Sequence, residues 1–166
     1  MTLPTIRPGR SDEYDAIARA WMASWTSTGL SQPSESLLGD LRARLPREIA
    51  GGWSLFVADD RCTIAAMLAL HVPKRYLDML FVAPAYQGQS LGRKLLAFTR
   101  TQMPDEMHLR CVRENEKAWR WYEREGFVFE NEEVAEATGF MSANTGSSSW
   151  MCALSQMKPL FIISSE

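Results

Sequence analysis

The chain has 166 residues, 46% of them hydrophobic and 23% charged, with a formal net charge of −2. Those values fit one globular domain with enough apolar surface for a core. The mildly acidic balance argues against a nucleic-acid partner, which calls for a basic surface that displaces counterions from phosphates. Cys62, Cys111 and Cys152 are odd in number, far apart and without CxxC spacing. No disulfide framework or metal site is therefore expected, and the three are read as reduced, mostly buried thiols. Met1–Arg7 has no apolar signal-like run, and the longest apolar stretch, residues 63–72, is too short for a membrane span. A cytoplasmic protein without a membrane partner is expected.

Thr5–Arg7 reads as a short first strand, stopped by Pro8-Gly9. Ser11 is the expected N-cap of a helix with Asp12 and Glu13 in its first turn, where the dipole favours negative charge. Tyr14, Ile17, Ala18, Trp21 and Trp25 recur at helical spacing, which gives that helix one apolar face. A loop follows over residues 26–34. Leu37, Leu41 and Leu45 mark a second helix, expected to stop before Pro46. Residues 53–58 and 62–72 predict two strands joined as a hairpin through Asp59-Asp60-Arg61.

Residues 76–82 predict a further strand. Leu91, Leu95 and Phe98 carry a third helix to about Met103. His108–Val112 is expected to be a strand. Asn115 opens a helix bearing Ala118, Trp121 and Tyr122, and Gly126 supplies its left-handed stop. Phe127–Phe129 begins a strand, and residues 150–154 predict the last one. Residues 135–149 are rich in Gly, Ser, Asn and Thr and read as a long loop, while the apolar tail 159–163 is left to pack on the body or in a homodimer. The order β, α, α, β, β, β, α, β, α, β, β predicts one mixed sheet with helices on both faces.

Gln87-Gly88-Gln89-Ser90-Leu91-Gly92 joins a strand to a helix N-terminus. Unpaired N–H groups converge in such a turn, and the helix dipole adds about half a positive charge, so a pyrophosphate fits it. The same turn also serves as a plain connector. Its spacing is neither GxGxxG nor GxxxxGK[ST], which leaves a Rossmann or P-loop site without support.

The run Leu80-Phe81-Val82-x-Pro84-x-x-Gln87-Gly88-x-x-Leu91-Gly92-x-x-Leu95-Leu96 resembles the acetyl-CoA-binding motif of the GNAT superfamily. Its Arg/Gln-x-x-Gly-x-Gly/Ala core falls on Gln87, Ser90 and Gly92. Asn115-x-x-Ala118-x-x-Trp121-Tyr122-x-x-x-Gly126-Phe127 looks like the family's next motif, N-x-x-A-x-x-F/L-Y-x-x-x-G-F. The resemblance is strong over about 50 residues. It implies an α/β GNAT fold: one mostly antiparallel sheet of about six or seven strands with about four helices. It also implies a single domain over residues 1–166, with its cofactor core at about 75–129. The implied activity is acyl-CoA-dependent N-acyl transfer from acetyl-CoA to the amine of a small molecule or peptide. A weakly active CoA-binding sensor, or use of another acyl-CoA, is the alternative.

By that resemblance the main chain of Leu80, Phe81 and Val82 pairs with the pantetheine arm like an added strand. The turn from Gln87 through Gly88, Gln89, Ser90, Leu91 and Gly92 to Arg93 cradles the pyrophosphate, and Asn115, Lys117 and Ala118 flank the coenzyme. Asn115 is equally well explained as an N-cap. Ser90 departs from the family's glycine. If positive φ is needed there, serine costs on the order of 1 kcal/mol, and its hydroxyl offers a phosphate a hydrogen bond in return. Tyr122 is the candidate general acid for the leaving thiolate. Asp78, an acid inside an apolar strand, is the candidate base or amine anchor, with His71 behind it. Trp21, Trp25 and the loop 26–34 either shape the acceptor pocket or, for the tryptophans, fill the core. The acidic run Glu130, Glu132, Glu133 and Glu136 either steers a cationic acceptor or is a solvated surface.

Overall fold

A computed structural model describes residues 4–134 and 159–165. The chain divides into two compact units, residues 1–107 and 108–166. The first opens with β1 (Thr5–Pro8) and a 3-10 turn (Ser11–Glu13), then α1 (Tyr14–Thr26) and α2 (Glu35–Ala50). Ser11 lies inside that turn rather than capping α1. Glu13 fixes the entry instead, accepting the Arg10 N–H at 3.1 Å and gripping Arg7, which also reaches Asp59. Ile17, Ala18, Trp21 and Trp25 are buried along α1, as their spacing requires. Ser34 caps α2 by accepting the Leu37 N–H at 3.0 Å.

Helix α2 does not stop at Pro46; it runs four residues past it. Proline forfeits the hydrogen bond its N–H would make one turn back, a cost of about 3 kcal/mol in a helix interior. The final turn is secured from the other side. Gly51 N–H donates to the Arg47 carbonyl and Trp53 N–H to the Glu48 carbonyl, both at 2.9 Å. Buried Leu37, Leu38, Leu41 and Leu45 anchor the rest.

β2 (Ser54–Asp60), β3 (Thr63–His71) and β4 (Tyr76–Val82) form an antiparallel meander, with β1 on the outer side of β2. Arg61 and Cys62 both have positive φ, 50° and 73°, the backbone of a two-residue hairpin turn. Asp59 steadies it by accepting the Cys62 N–H at 2.8 Å. Cys62 is therefore exposed at the turn and not a buried thiol, because the hairpin tip carries it out of the sheet. Residues 64–70 of β3 are all buried, so this strand is covered on both faces. α3 (Leu91–Gln102) follows β4, with Leu91, Leu95 and Leu96 buried and Phe98 edge-on to Phe56 at 4.8 Å.

The second unit takes in all of β5 (Met107–Val112) but its first residue, followed by α4 (Glu116–Arg124), β6 (Val128–Val134) and β7 (Pro159–Ser165). β7 pairs antiparallel with β6, from Val128 opposite Ser164 to Val134 opposite Pro159. The apolar tail is thus a sheet strand. The strand expected over 150–154, the loop 135–149, Glu136 and Cys152 lie outside the described residues. Gly126 ends α4 with a φ of 94°, the left-handed stop its sequence position predicts. Among the described residues, no helix is long and apolar enough to cross a membrane.

Candidate active site

Beyond β4 the chain makes a 3-10 turn at Pro84–Tyr86 and enters α3 through two left-handed residues, Gly88 at φ 73° and Ser90 at φ 63°. The first main-chain bond of the helix runs from Lys94 N–H to the Ser90 carbonyl at 3.1 Å. The N–H groups of Leu91, Gly92 and Arg93 precede it and have no carbonyl of their own helix to meet. Residues 87–90 are exposed, and a Cβ added at Gly88 would touch nothing within 4 Å. The turn is therefore open, and its glycine serves conformation rather than tight packing. Ser90 makes no side-chain bond to the helix end, so its hydroxyl is not spent on capping.

The glutamines brace the turn from within. Gln87 Nε2 donates to the Val82 carbonyl at 2.9 Å and to Ser27 Oγ at 3.3 Å, while Gln89 Nε2 donates to the Ala85 carbonyl at 2.7 Å. The Gln87 main-chain N–H is itself turned toward the Pro84 carbonyl at 3.3 Å. In β4, Leu80, Phe81 and Val82 stand opposite Leu68, Met67 and Ala66 of β3, and Phe81 packs on Trp21 at 5.9 Å and Trp25 at 6.2 Å. Both tryptophans are core residues.

Asp78 is the extra residue of a β-bulge. Met79 stands opposite Ala69 and Leu77 opposite Leu70, which leaves Asp78 without a partner on β3. Such a bulge re-aims a side chain, and here it breaks the alternation of β4 so that Asp78 joins groups from α2, β3 and the residue before β2. Burial raises the Asp78 pKa above the ordinary carboxylate value, and Glu48 adds to the rise. His71, a hydrogen bond from the Trp53 side chain and Arg44 oppose it. A carboxyl biased toward its neutral form by burial is suited to accepting a proton.

Arg44 and Glu48 were not evident as site residues in the sequence. The Arg44 guanidinium is buried, 5.4 Å from the Trp21 ring and 5.3 Å from the Trp53 ring, and its Nε donates to Glu48 at 2.7 Å. The available signal was an i,i+4 ion pair placed on the apolar side of a helix, with Arg44 three residues after Leu41.

In the second unit, Asn115 caps α4, its Oδ1 accepting the Ala118 N–H at 3.4 Å. That contact realises the capping explanation of Asn115. Lys117 is exposed and Ala118 half-buried. Tyr122 is 8% exposed, between the rings of Trp121 at 4.8 Å and Phe127 at 5.4 Å. Burial, followed by the neighbouring Cys111, pushes its phenol well above the ordinary value. Tyr122 thus keeps its proton across the physiological range. Burial likewise pushes the Cys111 thiol up to about 12, which makes it a neutral, inert neighbour. Among the described residues, no cluster of His, Cys, Asp and Glu is arranged to hold a metal ion.

The β-α-α-β-β-β-α-β-α-β-β order of the described residues, with a glycine-containing turn between β4 and α3, defines an α/β fold. A family model described as acetyltransferase (GNAT) domain matches residues 29–141, more than half of the chain. The chain belongs to the GNAT acetyltransferase family. Its structure resembles apo YjaB from Escherichia coli (21% identity, TM-score 0.68, covering 99% of this chain and 97% of that one). It also resembles the PaiA N-acetyltransferase of Thermoplasma acidophilum in complex with coenzyme A (18% identity, TM-score 0.67, 100% and 99%). A third similar structure is the ribosomal-protein-alanine N-acetyltransferase of Brucella melitensis (14% identity, TM-score 0.64, 97% and 98%). A search of curated proteins gives no significant match.

Proposed function

We propose that the protein transfers an acetyl group from acetyl-CoA to the primary amine of a small molecule or peptide by direct attack on the thioester, as a cytoplasmic enzyme working as one catalytic domain. The observation that carries this reading is the open left-handed turn at Gly88–Ser90 followed by three helix N–H groups without helical acceptors. A diphosphate supplies the negative charge and the acceptors that such a helix start lacks. The coenzyme A bound in the Thermoplasma protein is the same chemistry on the same fold.

In this reaction the main chain of Leu80–Val82 holds the pantetheine arm, and the donors from Gly88 to Arg93 hold the diphosphate. Because the Val82 carbonyl already accepts from Gln87 Nε2, the arm pairs mainly with the residues before it. An alkyl ammonium has a pKa near 10.4, so about one acceptor molecule in a thousand is neutral at pH 7. Asp78 takes the amine proton. The freed lone pair attacks the acetyl carbon, the C–S bond breaks as Tyr122 protonates the departing thiolate, and the second proton that the nitrogen sheds on becoming an amide restores the Tyr122 phenol, so one net proton leaves through Asp78.

The test is release of free thiol from acetyl-CoA on addition of a panel of primary amines and N-terminal peptides. Amine-dependent release, with the acetylated product seen by mass, is the expected outcome. Binding of acetyl-CoA with no release across the panel would leave a sensor, and release only from longer acyl-CoAs would change the donor.

A further inference from the structure

Resting on that reading, we propose that Tyr86 and Asp60 are positioning residues for the coenzyme: the closed end of the β2–β3 hairpin is a splint that holds the diphosphate-binding turn in shape. The turn needs one. Residues 84, 85 and 87–90 are all exposed, and Gly88 and Ser90 both have left-handed backbone. Tyr86 is the half-buried member of that run.

Its hydroxyl donates to Asp60 Oδ2 at 3.0 Å, across 26 residues of sequence. Just ahead of it, the Ala83 N–H donates to the Ala65 carbonyl at 2.9 Å. Both acceptors belong to the closed end of the β2–β3 hairpin. The other side-chain bonds of the turn reach less far or hold less closely. Gln89 bonds within the segment, at the Ala85 carbonyl, and the exposed Gln87 bond to Ser27 is longer at 3.3 Å.

The hairpin end is itself held firmly. Ala58 stands opposite Ala66 and Asp59 opposite Ile64, so Ala65 is the extra residue of a bulge, with no partner on β2. Its carbonyl serves Ala83 instead. Asp59, next to Asp60, accepts from Arg7 Nε at 2.9 Å and Nη2 at 2.7 Å, and Arg7 in turn holds Glu13 at the entry to α1. Asp59 also accepts the Cys62 N–H, which closes the tip. The acceptor offered to Tyr86 is thus fixed from β1 and α1 before any ligand arrives.

A cradle of main-chain N–H groups binds an anion well when those groups already point together, because ordering them on binding offsets the gain. Tyr86 directly precedes Gln87, so the Asp60 bond fixes the chain where it enters the cradle. That bond also raises the Tyr86 pKa above that of an ordinary phenol, which keeps the hydroxyl a donor at neutral pH. Both side chains act through the main chain of residues 87–93 and not by contact with the coenzyme.

The test is calorimetric titration of the full chain with coenzyme A in wild type, Tyr86→Phe, Asp60→Asn, Asp60→Ala and the double variant Tyr86→Phe/Asp60→Ala. Tyr86→Phe removes the hydroxyl alone. Asp60→Asn removes the charge but keeps an acceptor oxygen, so Asp60→Ala compared with it isolates the lost bond. The expected result is a Kd about threefold to tenfold weaker in Tyr86→Phe, with circular dichroism unchanged. Asp60→Ala should be weaker than Asp60→Asn by about the same factor. Adding Tyr86→Phe to Asp60→Ala should then change the Kd by less than about twofold, since the bond is already gone. An unchanged Kd in Tyr86→Phe, or the full loss repeated in the alanine background, would overturn the splint. A folded wild type that binds no coenzyme A would defeat the diphosphate site itself, and the splint with it.

Once an acceptor is in hand, Tyr86→Phe should raise the KM for acetyl-CoA by the factor seen in Kd and leave kcat within about twofold. A fall in kcat at unchanged KM would overturn the positioning role.

Discussion

Replacing Ser90 by glycine tests the proposed cofactor turn at a strained point. Ser90 has a φ of 63° and ψ of 5°, a left-handed conformation that costs an L-residue about 1–2 kcal/mol. Glycine removes that strain but loses about 0.5–1 kcal/mol through its freer unfolded chain. The net expectation for Ser90→Gly is a gain of about 0.5–1 kcal/mol. In a chain of this size that corresponds to a Tm higher by roughly 1–4 °C. Ser90→Ala keeps the strain and should melt with wild type. The pair also separates backbone from hydroxyl in binding. If the uncommitted hydroxyl donates to a phosphate oxygen, both variants lose about 1–2 kcal/mol of coenzyme A affinity, roughly tenfold, relative to a serine in the same turn. In Ser90→Gly the strain is relieved in the free and bound protein alike, so its Kd should match that of alanine. Thermal unfolding and calorimetry on the three proteins give both numbers. A glycine variant no more stable than wild type would refute the strain argument, and an alanine variant of unchanged Kd would refute the phosphate bond.

Gly88→Val should weaken coenzyme A binding at least tenfold while circular dichroism stays native, because the cost falls on a φ of 73° in an exposed turn and not on the core. Tyr122→Phe should lower kcat by about a hundredfold with little change in the KM for acetyl-CoA, and wild-type turnover would remove Tyr122 as the acid. Asp78→Asn should abolish the acidic limb of kcat/KM and raise Tm at pH 7. The sign follows from a pKa raised in the fold: as pH climbs past the unfolded value near 3.9, the unfolded chain releases the proton first and the wild-type fold loses stability. The Tm difference between Asp78→Asn and wild type should therefore shrink as pH falls below about 4. Leu68→Ala, at a position with no solvent exposure in the most enclosed strand, should cost about 2–5 kcal/mol in urea unfolding.

The element order was legible because its signals are local. Apolar spacing gave α1, α3 and α4, and the turn between β4 and α3 was readable from the polar, glycine-containing run at residues 87–92. What escaped has non-local causes. Pro46 reads as a stop, yet α2 continues because Gly51 and Trp53 tie down its last carbonyls, and those contacts lie beyond the helix. Ser11 has the chemistry of a cap, but Arg7 draws Glu13 into that role from β1. Residues 159–165 read as a tail because pairing with β6 across 24 intervening residues leaves no mark in local periodicity; β6 ends at Val134 and β7 begins at Pro159. At the candidate site, Asp78 was conspicuous as a lone acid among apolar residues. Its setting was not, since the bulge opposite Ala69–Leu70 and the Arg44–Glu48 pair appear only when β3, β4 and α2 come together.

Calorimetric titration of the intact chain with coenzyme A and acetyl-CoA, beside Gly88→Val, tests the central claim most directly. The account predicts saturable one-to-one binding by wild type and at least a tenfold loss in the variant. Equal affinity in the two proteins, or no heat of binding in a folded wild type, would contradict it.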